Sequence, residues 1–402
     1  MKKTIKDINV KGKKVLVRVD FNVPLKDGVV KDDNRVREAI PTIRYLLDNG
    51  AKVVLCSHLG KVDHKDPVKC EENKKKNDMA YVVETLEALL GQKVKYVDEV
   101  YGKKVDSALT SLKEGEVMLL QNTRYEKGES KNDPKLAEEL AKNIDVFVMD
   151  AFGSAHRAHA STYGVPELLN KEGKETAIGF LMEKEIESLN KCVEAKDHPY
   201  VAVLGGAKVS DKIKVIEGLL NKADKIIIGG AMAYTFLKAK GVEVGKSLVE
   251  NDQLDFARKC LEIGKDKIIL PVDHIISFDV ESDECMPTMN ENIPELFLGF
   301  DIGPKTRTYF SKELANSKIV FWNGPMGMFE NKQYAKGTAK VCESIANLKG
   351  AFSVIGGGDS ASAAKQLGFK DKFSHVSTGG GASLEMIENN GSLPGIDIIQ
   401  DK

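Results

Sequence analysis

In the first half of the chain, several short apolar runs end in residues that can hold an anion. Asp20, Phe21 and Asn22 close the run at 15–21, and Ser57, His58, Leu59, Gly60 and Lys61 follow VVLC. Asn122, Thr123 and Arg124 follow EVMLLQ, and Asp150 through His159, including His156 and Arg157, follow DVFVM. Asn34 and Arg35 open a stretch with helical spacing. Only eight residues are Arg against 51 Lys, and three of the eight, Arg35, Arg124 and Arg157, fall in this set, with Arg18 inside the first run. Arg presents a planar fork that matches carboxylate and phosphate, which Lys does not copy. Guanidinium and imidazole groups gathered at one sheet edge would bind a small polyanion; the plain alternative is helix caps and surface ion pairs.

The second half carries different chemistry at equivalent places. Gly205-Gly206-Ala207-Lys208, Gly229-Gly230, Asn323-Gly324-Pro325, Gly356 to Ser360 and Thr378 to Gly381 each follow an apolar run. Glycine lets backbone N–H groups come close to a phosphate, and a helix N-terminus adds partial positive charge. Lys208 can neutralise a phosphate oxygen. Asp359 is a natural Mg²⁺ ligand, because Mg²⁺ favours one carboxylate plus phosphate oxygens. Two matches carry little weight. Gly241 to Ser247 lacks the first glycine of a Walker loop, and Gly356 to Ala361 fits a dinucleotide fingerprint without the acidic residue that would hold a ribose. His156 and His159 have the spacing of a metal pair, but no third ligand is evident.

These residues need rigid elements to place them. Apolar runs rich in Val, Ile and Leu at 15–21, 52–57, 93–97, 116–122 and 145–152, then at 200–206, 225–231, 267–273, 318–324, 352–358 and 373–380, read as strands buried on both faces. Helical spacing between them, as at 35–50 and 211–223, predicts parallel sheets with helices on both sides. At 402 residues, two domains of about six strands each are expected, divided near 170–200 by the polar interruption LLNKEGKETAIGF and a linker helix. The lysine-rich segment 61–78 reads as a solvated loop, and the Gly- and Pro-bearing tail cannot be a long helix. A formal charge of −1 argues against nucleic-acid or membrane-surface binding, and no run of 18 apolar residues exists. The start has no secretory h-region, and six dispersed Cys fit reduced thiols in a cytoplasmic protein.

The runs VLVRVDFNVPL, SHLGK, DAFGSAHRAHAS, LGGAKVSDKI, FDIGPKT, WNGPMGMFE, GGGDSA and HVSTGGGASLE together resemble the phosphoglycerate kinase family along nearly the whole chain. The resemblance implies an α/β protein of two Rossmann-like domains, each a mostly parallel sheet flanked by helices, joined by a hinge helix. Residues 1–182, with the tail 390–402 packing back, would bind 3-phosphoglycerate or 1,3-bisphosphoglycerate; residues 183–389 would bind ATP or ADP with Mg²⁺. Asp20, Phe21, Asn22, Arg35, His58, Leu59, Gly60, Lys61, Arg124 and Arg157 would form the acid site. Lys208, Lys212, Gly357, Gly358, Asp359 and Ser360 would meet the nucleotide phosphates, with Asp359 on the metal and Gly299 and Glu330 near the nucleoside. Arg35, Lys208, Gly379 and Gly380 would act on the phosphoryl group in flight, as the domains close. A monomer with small-molecule partners is implied. Lys61 and Gln121 stand where the family commonly has Arg and Glu. A nicotinamide-dependent oxidoreductase and a nonenzymatic nucleotide-binding scaffold are the competing readings.

Overall fold

The computed structural model describes every residue except position 283. The chain divides into two compact units: Met1–Ile186 with Ser392–Lys402, and Glu187–Gly391. The division falls inside the helix Phe180–Glu194.

The first unit is built on strands β1 (Lys14–Val19), β2 (Lys52–Cys56), β3 (Lys95–Val97), β4 (Val117–Leu120), β5 (Val146–Asp150) and β6 (Glu175–Ile178). They form one parallel sheet in the order β3-β4-β2-β1-β5-β6. Nearly every residue of β1, β2, β4 and β5 is buried, as continuous apolar runs require when helices cover both faces. The helix α1 (Asn34–Asp48) repeats Val36, Ala39, Ile43 and Leu46 at helical spacing and buries that stripe. Arg35 is thereby left in its first turn. A cation there opposes the helix dipole, so the position needs an external partner.

The second unit has β7 (Tyr200–Leu204), β8 (Lys225–Ile228), β9 (Ile268–Ile269), β10 (Ile319–Asn323), β11 (Phe352–Ile355) and β12 (His375–Val376). This sheet is also parallel, in the order β9-β8-β7-β10-β11-β12. The chain leaves β7 to one side and returns beside it as β10, which opens a crevice beyond Leu204 and Asn323. Ligands of doubly wound sheets bind at such a point.

Three expectations are corrected. The stretch Glu175–Ile178, read as part of an interruption, is the sixth strand of the first sheet. Segment 61–78 contains a helix, Pro67–Lys76, with no buried residue. Asp66 caps it by accepting from the N–H groups of Val68 and Lys69, Pro67 opens it, and Lys74–Lys76 suit its C-terminal dipole. The third correction is a small antiparallel sheet of His274–Ser277, Met286–Pro287 and Leu298–Ile302, which the sequence reading did not contain. Among the described residues, no helix is long and apolar enough to cross a membrane.

At the end of β5, Asp150 Oδ1 accepts from the N–H of Met182 at 3.2 Å, in the first turn of Phe180–Glu194. Asp150 is fully buried, and its Oδ2 has no partner. Burial pushes its carboxyl up from 3.8 to about 7, against the pull of the Thr42, Met182 and Leu181 hydrogen bonds. Between pH 3.8 and about 7 the folded state therefore holds a proton that the unfolded state has lost, and stability falls as pH rises through that window. Asp150→Asn removes this loss. Urea melts are expected to show the variant gaining on the native protein between pH 5 and pH 8; an equal difference at both pH values would refute the assignment.

Candidate active site

In the first unit, the carboxyl ends of β2, β4 and β5 surround a cleft of about 450 Å³. His58, Lys61, His64, Arg124, His156, Arg157 and His159 line it, with Glu126 and Glu129 as its acids. Arg124 Nη1 donates to the Gly60 carbonyl at 2.6 Å, and Asn22 Oδ1 accepts from the Gly60 N–H at 2.7 Å. Gly60 has a φ of 60°, and a Cβ there would press into the Asn77 amide, so this turn requires glycine. Asn122 is fully buried and knits the strand ends. It accepts from Leu59 and Arg124 N–H groups at 3.1 and 3.0 Å and donates to the Leu59 and Asn77 carbonyls at 2.7 and 2.9 Å.

Arg35 finds its partner in Asp20: Nη1 donates to Oδ2 at 2.7 Å. Asp20 is buried, and its other oxygen accepts from the Asn22 N–H at 3.1 Å. Arg157 and Lys61 are exposed at the cleft, and no side-chain partner holds either head group. Burial is the first cause that lowers His156 and His159 to about 4, with nearby arginines adding to it. It also lowers His58, helped by Arg18, Arg124 and Arg35. These three rings are therefore neutral at pH 7, and Arg124, Arg157 and Lys61 bring fixed positive charge to the cleft.

Two expected contacts are not available. Phe21 is fully buried in the core, and its N–H donates to Ser57 Oγ at 2.8 Å. Leu59 is also a core residue with both backbone groups taken by Asn122. They hold the strand ends and present nothing to a ligand. Conversely, Arg18 and Ser161 form a buried polar group with Glu129 of the cleft wall. The arginine was visible in the sequence, but its partners lie more than 100 residues away and carry no local signal.

In the second unit, Gly205, Gly206, Lys208, Asp211, Lys212, Asn323, Gly324, Gly357, Gly358 and Asp359 line a cavity of about 160 Å³ at the crevice beside β7 and β10. The turns are packed backbone to backbone. At Gly230, φ is 68° and a Cβ would lie 2.5 Å from the Gly206 nitrogen; at Gly380 it would lie 3.0 Å from the Gly356 carbonyl. The only tryptophan, Trp322, donates from Nε1 to the Gly324 carbonyl at 2.8 Å. The helix Gly358–Gln366 starts in the cavity wall, leaving its first N–H groups without intrahelical acceptors. Lys212 donates to Asn323 Oδ1 and is mostly buried, which pulls its ammonium down to about 8 despite Asp211 and Asp359. Lys208 is exposed and free of side-chain partners. Glu250 accepts from Val209 and Ser210 N–H groups at 2.5 and 3.1 Å and so fixes the loop between the two lysines; no sequence pattern announces it.

Ser360 is fully buried and accepts from the Gly324 N–H at 2.8 Å, so only its backbone faces a ligand. Gly379 N–H donates to Ser377 Oγ at 3.2 Å, which leaves Gly380 and Gly381 as the open donors at the start of Gly380–Glu388. Gly299 and Glu330 lie outside this cavity. Gly299 belongs to the small antiparallel sheet, and the loop bearing Glu330 is tied to that sheet by Met328 N–H donating to the Phe300 carbonyl at 2.9 Å.

The two sites are thus both made for anions. One offers arginine forks and neutral imidazoles to a small acid. The other offers glycine-backed amides, two lysines and the exposed carboxylates of Asp211 and Asp359, which suits a polyphosphate with a cation.

The sequence profile described as phosphoglycerate kinase matches residues 5–390. A phosphoglycerate kinase of Enterococcus faecalis is 53% identical over 406 residues, covering 100% of both chains. One of Macrococcus caseolyticus is 53% identical over 407 residues, again covering 100% of both. The solved structure of phosphoglycerate kinase from Coxiella burnetii superposes with a TM-score of 0.86 at 36% identity, over 99% of this chain and 98% of that one.

Proposed function

The chain belongs to the phosphoglycerate kinase family, and from that premise we propose how its residues divide the work. The enzyme is a phosphotransferase that moves a phosphoryl group reversibly between 1,3-bisphosphoglycerate and ADP, giving 3-phosphoglycerate and ATP. The oxidoreductase alternative has no support among these relatives.

The observation that carries the assignment of roles is the cleft lined by Lys61, Arg124 and Arg157 with Arg35 beside it on Asp20. A phosphorylated three-carbon acid carries about three negative charges at neutral pH, and this is where the first unit concentrates unneutralised cations. Arg124, Arg157, Lys61 and His58 hold the acid, Asn22 and Gly60 shape its rim, and Arg35 reaches the transferring group. The nucleotide phosphates lie on Lys208, Lys212 and the open amides of Gly358, Asp359 and Ser360.

A magnesium ion fits the second site. The Asp359 carboxylate is exposed in the cavity wall and has no protein partner. Among the described residues, no cluster of three His, Cys, Asp or Glu could hold a metal. One carboxylate plus phosphate oxygens is the ligand set that Mg²⁺ takes, and the ion supplies charge neutralisation when bound.

The acceptor is a carboxylate, already ionised at pH 7, so no general base is required. The chain's own contribution is alignment and positive charge around the phosphoryl oxygens: Arg35, Lys208 and the Gly380 amide. The reaction needs the acid and the nucleotide in reach of one another, and hinge movement about Phe180–Glu194 is the proposed means. Small-angle scattering is expected to show a smaller radius of gyration with both ligands bound; no change would count against closure.

A coupled assay tests the function. With 3-phosphoglycerate, ATP and an acyl-phosphate-consuming dehydrogenase, turnover is expected with added Mg²⁺ and is lost in excess EDTA. ATP binding without turnover would favour a scaffold, and metal-independent turnover would remove Asp359 from its role. The six cysteines are free, as suits the reducing cytoplasm in which we place the enzyme.

A further inference from the structure

From the wall of the basic cleft a line of buried polar side chains runs inward. Arg18 lies in β1 level with Cys56 and Met149 of the neighbouring strands, and none of its surface is exposed. Its Nε donates to Ser161 Oγ at 2.7 Å and its Nη1 to the Val19 carbonyl at 2.5 Å, while Nη2 lies 3.1 Å from His58 Nδ1. Ser161 Oγ donates to Glu129 Oε1 at 2.5 Å, and the Ser161 N–H donates to Glu129 Oε2 at 3.1 Å. Glu129 and Ser161 are also fully buried. An enclosed guanidinium is strongly destabilising without a countercharge. Glu129 supplies it, one hydroxyl away.

The direction of each bond is forced. A guanidinium has donors only, so His58 Nδ1 must accept from Nη2 and carries no proton. Ser161 Oγ accepts from Arg18, so its own hydrogen goes to Glu129. The proton of a neutral His58 must therefore sit on Nε2. That nitrogen has no protein partner and is not among the enclosed unpaired atoms, and His58 lines the cleft. The charged and titratable groups that face the ring are Arg18, Arg124, Arg35 and His159, none of which would favour a second proton.

We propose that Glu129 and Ser161 are positioning residues that act through Arg18 to hold His58 with Nδ1 bare and Nε2–H aimed at the anion in the cleft. The identity of that anion rests on the function proposed above; the state of the ring does not.

The test is long-range ¹H–¹⁵N NMR of the full-length enzyme labelled at histidine, without ligand. His58 is expected to show an unprotonated Nδ1 and a protonated Nε2, unchanged from pH 8 to pH 6. In Ser161→Ala the bias is lost, and the KM for 3-phosphoglycerate rises about tenfold, near the low end for losing a hydrogen bond to a charged group, with the KM for ATP unmoved. Glu129→Gln keeps an acceptor for Ser161 but removes the countercharge of Arg18, so it is expected to melt at a lower temperature while retaining the Nε2–H form. A native His58 protonated on Nδ1 overturns the proposal. So does Ser161→Ala with unchanged His58 signals, or with both KM values raised equally. A shifted ring with no change in the acid's KM upholds the relay and refutes the ligand assigned to the cleft.

Discussion

Arg35→Ala lowers turnover by about three to five orders of magnitude, the range that an arginine acting on a transferring phosphoryl group supplies. The affinity for nucleotide is expected to stay within about threefold, because the proposed phosphate contacts are lysines and amides of the other unit and not Arg35. The residue stands where local energetics disfavour it, a cation in the first turn of α1, and it is held by a 2.7 Å pair with the buried Asp20. Removing it also strands the Asp20 carboxylate, so a fold defect must be separated from a catalytic one. Arg35→Ala combined with Asp20→Asn relieves that charge, and its turnover is expected to remain low while its melting temperature recovers. Arg35→Lys keeps the charge but loses the fork, and is expected to regain only part of the rate. Single-turnover kinetics with calorimetric nucleotide titration provide the readout. Parallel loss of turnover and nucleotide affinity would refute the role.

Lys212→Met is expected to weaken nucleotide binding by about 2–5 kcal/mol, the usual loss when one partner of a buried charged contact is removed. The ammonium is desolvated in the cavity wall beside Asn323 and ionises near 8. Only its charged form attracts phosphate. In the free enzyme that form is dominant below pH 8 and is lost as pH rises through that value. Nucleotide affinity should therefore hold steady from pH 6.5 to 7.5 and fall above pH 8. Lys212→Arg stays charged throughout, so its pH profile should be flat across the same range. Calorimetric titrations at pH 7, 8 and 9 decide this; a native profile that is flat to pH 9 would show that Lys212 is not the group that binds.

Much of the scaffold could be read because its strands are buried on both faces. Runs such as Val53 to Cys56 and Ile226 to Ile228 have no polar alternation to confuse them with surface strands. β6 escaped because an edge strand of four residues beginning Glu-Thr resembles a linker, although Thr176 is fully buried. The helix Pro67–Lys76 escaped for the opposite reason. It has no apolar stripe, and only its cap, Asp66-Pro67, marks it. Residues after the strands form a block in the sequence, and the structure separates them: His58 and Lys61 border the cleft while Phe21 and Leu59 turn into the core. The supports of each site, Glu129 and Glu250, reach their partners across 32 and 40 residues, and neither spacing has a meaning until the chain has folded.

The first unit is discontinuous in the chain. Its last segment, Ser392–Lys402, is bonded to its beginning: Lys3 N–H donates to the Gln400 carbonyl at 2.8 Å, and Asn170 Nδ2 donates to the Ile398 carbonyl at 2.7 Å. The second unit is a single uninterrupted stretch, Glu187–Gly391. During synthesis on the ribosome, which proceeds from the amino end, the later-encoded half has all its parts first. The earlier-encoded half waits, partly assembled, for eleven residues that emerge after its neighbour is complete.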